Sequence, residues 1–85
     1  PGRMIDFIEF HDGYAIVKMS PPKVIRGVPL GESLVRSKYK VTVVGVKSPG
    51  KGFTHATPET IVSNHDLIIV SGTSADIERF AILAS

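Results

Sequence analysis

Cysteine is absent from the chain, which excludes disulfides and thiolate-metal chemistry and permits an intracellular compartment. No apolar run approaches the ~18 residues that a membrane-spanning helix needs, and no signal-peptide pattern opens the sequence. Charge of one sign is scarce as well. Ten Lys and Arg against eight Asp and Glu leave a net charge of +2, with no long basic cluster. Lys38 and Lys40 flank Tyr39, and Lys47 and Lys51 flank a turn, a pattern of solvated surface rather than a nucleic-acid footprint. No nucleic-acid partner is expected.

Catalytic signatures are missing in the same way. Gly50-Lys51-Gly52 lacks the spacing and trailing hydroxyl of a phosphate loop, and no Gly-x-Gly-x-x-Gly fingerprint occurs. There is no Gly-x-Ser-x-Gly elbow to seat a nucleophile. His11, His55 and His65 each sit beside turn residues and match no metal-ligand spacing; His55 with His65-Asp66 is the sole combination worth weighing. Asp6 and Glu9 fall in the least regular segment. An enzyme is not expected.

What is present is an apolar inventory large for its frame. Eighty-five residues make one small domain that buries about 60–65% of its extended surface. The hydrophobic fraction is 42% with positive mean hydropathy, more than a thin core holds, so part of it belongs at an interface. The first residue is Pro1 rather than Met, and we expect a piece of a longer polypeptide or an oligomer.

Two stretches read as strands covered on both sides: Lys40 to Lys47, around which the rest is organised, and Asp66 to Gly72. Residues 1–13 fit a strand face and a helix face equally, and are read as a connecting segment closed by the turn chemistry of His11-Asp12-Gly13. Tyr14 to Met19 is a strand, stopped by Pro21-Pro22. Pro29 suits a first helical turn, and Leu30, Leu34 and Val35 give one helix of two to three turns over 30–37. Phe53 to Ala56 is a returning edge strand. Thr73 with Asp76 three residues on reads as a capping box for a final helix with Ile77, Phe80, Ala81 and Ala84 on one face. The order is β-α-β-β-β-α, an α+β domain.

Arg36, Lys38 and Tyr39 lie where the first helix runs into the organising strand. Such a helix end can hold an anion by bidentate pairing and stacking, or its cations simply complement the helix dipole.

Four stretches together resemble the TrkA C-terminal domain, the C-terminal lobe of the RCK (regulator of potassium conductance) proteins. They are Val28 to Ser33, Val35 to Lys47, Thr57 to Ile61 and Asn64 to Thr73, and the likeness covers about residues 14–84. It implies a dimerising, ligand-sensing regulatory domain over 14–85, with 1–13 as a linker from a nucleotide-binding lobe that is not in this sequence. It also implies a homodimer whose motion passes to the membrane subunit of a potassium channel or transporter, in the cytoplasm at the inner face of the membrane. In several relatives the ligand is cyclic di-AMP, in others a cation. Carried over residue by residue, the ligand contacts are Arg36, Val41, Thr42 and Pro58. Relatives often have Asn at the position of Thr42. They commonly have Gly where this chain has His65, so His65 needs positive φ or a different turn. An alternative is a purely structural dimerisation module, with sensing left to the other lobe.

Overall fold

In the computed structural model, which describes residues 4–84, five strands form one antiparallel sheet with helices against one face. The strands are β1 (Met4–Glu9), β2 (Tyr14–Met19), β3 (Thr42–Lys47), β4 (Phe53–His55) and β5 (Leu67–Thr73). The helices are α1 (Leu30–Ser33), α2 (Val35–Tyr39) and α3 (Ser74–Ile82), with a 3-10 turn at Lys23–Ile25. The spatial order β1-β2-β5-β3-β4 puts β5 in the middle.

The period-2 pattern explains the sheet. Ala15, Val17 and Met19 of β2, Ile68 and Val70 of β5, and Val43 and Val46 of β3 turn to the helices and are buried. A β-bulge between Val43 and Gly45 breaks the alternation in β3, leaving Val44 42% exposed. Ile16 and Ile69 point away from the helices and are only half-buried. The expectation of two strands covered on both sides is therefore corrected: within one chain, helices cover one face. The organising position also passes from β3 to β5, which carries a ladder on each side.

Residues 4–9, undecided on periodicity, form the edge strand β1, paired with β2 from Met4↔Met19 to Glu9↔Ala15. Local turn chemistry sets this pairing. Gly13, at φ +82°, donates its N–H to the Phe10 carbonyl, and Phe10 donates to Tyr14.

The single helix expected over 30–37 is instead two short ones. Ser33 Oγ donates to the Leu30 carbonyl at 2.6 Å, the acceptor that Leu34 N–H would use if the helix continued. Leu34 then turns left-handed (φ 56°, ψ 35°), and α2 starts afresh. Lys40, at φ 63°, ends α2 with its N–H on the Arg36 carbonyl, a left-handed cap of the kind glycine usually supplies.

At α3 the cap of Thr73 stands: its hydroxyl accepts the Asp76 N–H at 3.1 Å. The reciprocal half of the capping box does not form, because the Asp76 carboxylate accepts from Arg79 instead. Ile77, Phe80 and Ala81, at i, i+3 and i+4, bury against the sheet.

The turn before β5 resolves the question at His65 without positive φ there. Buried Asp66 closes it, its N–H donating to the Ser63 carbonyl at 3.1 Å while its Oδ2 accepts the Ser63 N–H at 2.9 Å.

Two stability outcomes follow. Asp66→Ala leaves the Ser63 N–H without its acceptor and destabilises by about 1–3 kcal/mol. Lys40→Gly removes a left-handed penalty of about 1–2 kcal/mol, partly offset by added unfolded-state freedom, for a net gain of about 0.5–1 kcal/mol. Urea unfolding with an unchanged m value checks both; a Lys40→Gly midpoint below that of the unaltered chain contradicts the strain at this cap.

Candidate functional site

The break between the two short helices, marked by the Ser33 hydroxyl bond, lies beside a concavity. The α1–α2 corner, where α2 restarts after Leu34, borders an open cleft of about 660 Å3. That volume lies within the range of small-molecule sites, roughly 300–1,000 Å3. Leu30, Leu34 and Arg36 line the helical side, Thr42 and Val43 the floor from β3, and Ala56, Thr57 and Pro58 the opposite wall.

The opposite wall is a compact turn locked to α1. Thr57 N–H donates to Thr60 Oγ1 at 2.9 Å, and Thr60 N–H to the Thr57 carbonyl at 3.0 Å, with Pro58 at the position where its fixed φ suits the turn. Leu30 N–H donates to the Thr60 carbonyl and Gly31 N–H to the Pro58 carbonyl, both at 2.9 Å. A Cβ at Gly31 would lie 3.1 Å from Pro58 Cβ and 3.3 Å from its carbonyl oxygen, so this close approach needs glycine. Those two bonds occupy first-turn donors of α1, so they do not point into the cleft.

Arg36 is the cation of the site. Its side chain is exposed, and among the described residues no hydrogen bond or ion pair engages it. A free guanidinium beside an apolar wall can accept a planar anion bidentately while its neighbours take the apolar part of the same molecule.

Of the four residues predicted from the sequence, the cleft brings together Arg36, Thr42 and Pro58 from α2, β3 and the β4–β5 connection. Val41 lies elsewhere. It is 1% exposed and packs in the core, where its Cγ1 would meet a Cβ on Gly72 at 3.2 Å. The stacking role considered for Tyr39 also moves: its ring packs on Phe80 with centroids 5.7 Å apart and planes at 46°, at the edge of the core. Lys38 is exposed and does not line the cleft. Among the described residues no group of three or more His, Asp or Glu is placed to hold a metal ion. Leu34, Gly31, Ala56 and Thr57 were not singled out from the sequence. Ala56 and Thr57 enter from the β4–β5 connection, and Leu34 carries no residue-type signal for its positive φ.

Comparisons with known proteins agree with this architecture. The model of the TrkA-C domain family matches residues 14–83. The Ktr system potassium uptake protein A of Bacillus subtilis (strain 168) is 27% identical over 77 residues, and protein C of the same organism is 23% identical over 77. Each alignment covers 91% of this chain but 35% of the relative, so the chain spans about a third of the length of these curated relatives. Among solved structures, the GsuK RCK domain superposes with a TM-score of 0.75 at 20% identity, over 99% of this chain and 18% of that one. The GsuK channel bound to NAD gives 0.71 at 24% identity, over 87% and 14%. These two likenesses carry the fold. With the TrkA-C domain pattern matched from β2 through α3, the chain belongs to the TrkA-C domain family.

Proposed function

We propose that this chain is the ligand-sensing, dimerising regulatory domain of a potassium uptake or channel system. It acts in the cytoplasm at the inner face of the membrane, passing the state of its ligand to a membrane subunit. The observation that carries the reading is the cleft in which an unpaired Arg36 meets Thr42 and Pro58 from separate elements. Among the described residues no helix is long and apolar enough to cross a membrane.

The ligand is an anionic nucleotide, with cyclic di-AMP as the leading compound. Its phosphates suit Arg36, and its rings suit the apolar lining given by Leu30, Val43, Ala56 and Pro58. One Arg36 faces one cleft. A two-fold pairing across this surface brings a second guanidinium to the same anion. Exposed Val28, Leu34 and Ile61, the last bridged to Pro29, give the rim the apolar character that a dimer interface uses. On this reading residues 1–13 are the linker from a nucleotide-binding lobe, and residues 4–9 of it also supply the edge strand β1.

Two outcomes test the reading. Light scattering at tens of micromolar should return twice the 9.2 kDa chain mass, and a monomer mass counts against the pairing. In titration calorimetry Arg36→Ala should weaken cyclic di-AMP binding by about 1.5–3 kcal/mol, the range for a hydrogen bond to a charged group. Arg36→Lys should recover little, because an ammonium lacks the planar fork. No heat from the unaltered domain leaves the structural dimerisation module as the better account.

A further inference from the structure

We infer that Leu34 is a specificity-determining residue of the cleft, holding the planar rings of the ligand while Arg36 holds its charge. The inference rests on the reading of the cleft as a nucleotide site, and it comes from how badly Leu34 fits its own backbone.

Three local preferences are broken at this one residue. Its φ of 56° is left-handed, a conformation that costs a non-glycine residue about 1–2 kcal/mol. It occupies the cap position of α2 with no side-chain cap bond, where Ser, Thr, Asn or Asp would satisfy a free N–H and leucine satisfies none. Its side chain is apolar and 51% exposed, so little burial compensates for the strain. Glycine or asparagine would serve the fold better on every count. Strain that the fold does not need concentrates where a side chain has work to do.

The place of Leu34 names that work. It lines the cleft between Leu30 and Arg36, with Pro58 in the facing wall. The left-handed turn keeps an exposed apolar side chain in the lining of the cleft, two residues before Arg36. A ligand with flat apolar faces and a charged linker uses both residues at once; a bare phosphate uses Arg36 alone. Leu34 therefore sets selectivity for nucleotides over simple anions.

The test sets stability against affinity in the 85-residue chain, using urea unfolding and calorimetry with cyclic di-AMP. Leu34→Gly should raise the unfolding midpoint and weaken binding at least fivefold. Leu34→Met, which keeps an apolar chain on the same strained backbone, should stay within about twofold of the unaltered domain in affinity. A merely structural leucine would move the two readouts together. Leu34→Gly binding within twofold of the unaltered domain overturns the inference and leaves the Arg36 site standing. A lowered midpoint for Leu34→Gly overturns the strain argument. Absence of binding by the unaltered domain removes the nucleotide reading and this inference with it.

Discussion

The close approach at Gly72 is the constraint on which the rest of the structure depends. Gly72 lies near the end of the central strand, and three parts of the chain converge where its side chain would be. Val41 Cγ1 stands 3.2 Å from that notional Cβ, the Lys40 carbonyl oxygen 3.4 Å and Ile77 Cγ1 3.6 Å. The junction of α2 with β3 and the inner face of α3 therefore rest on the same point of β5. Any larger residue there pushes Val41 outward, and Val41 leads directly into Thr42 on the cleft floor. Overpacking of this kind typically costs about 1–3 kcal/mol. Here it would also displace the strand on which the site is built.

From that point the chain reaches the cleft through two left-handed residues, Leu34 and Lys40, which bracket α2. They fix where the five-residue helix begins and ends, and so where Arg36 stands. A helix this short has no stability of its own, because nucleation is unfavourable and few bonds follow it. It is held by what lies around it: Val35 buried beneath, Tyr39 packed on Phe80, and the two caps. The opposing wall is held as firmly, by the Gly31 and Leu30 amide bonds to the Pro58 turn. The cleft is thus a preformed gap between two anchored pieces, and a ligand entering it meets little ordering cost.

Much of this was legible in the sequence, for reasons that particular residues make clear. Proline and glycine punctuation at Pro21-Pro22 and Ser48 to Gly52, with period-2 apolar runs between, marks strands whose formation needs only neighbours of the same kind. The 3.6 period of Ile77, Phe80 and Ala81 with a threonine cap marks α3 equally well. The 30–37 segment reads wrongly because a helical pattern of apolar residues is present while one serine hydroxyl takes the carbonyl that would continue it. That competition occurs between a side chain and its own backbone, and periodicity does not register it. Residues 4–9 stay ambiguous because both templates fit, and only the existence of β2 as a partner decides for the strand. For the site, Arg36, Thr42 and Pro58 are within reach of a family resemblance, yet Val41 shows the limit of that reach. Its neighbour Thr42 lines the cleft, while Val41, the residue just before β3, is buried in the core.

The electrostatics of the cleft carry the argument furthest toward mechanism. On the proposed reading, one guanidinium, exposed and unpaired among the described residues, faces a phosphodiester ligand that carries two charges. A single exposed cation in water attracts such an ion weakly, since at about 4 Å the interaction is only ~1 kcal/mol in bulk solvent. Bringing up a second Arg36 from a partner chain doubles the attraction and also displaces water, which strengthens each contact. Without the anion the two guanidinium groups repel across the same gap. On the proposed reading, ligand and partner are therefore linked: each raises the affinity of the other, because the charge of the ligand removes what opposes pairing. On the same reading the apolar surface around the cleft supplies association that does not depend on charge, so pairing would persist without ligand in a looser geometry. A sensor needs two geometries that differ in ligand affinity, and on the proposed reading a cleft with one cation per chain on an apolar surface would provide that difference.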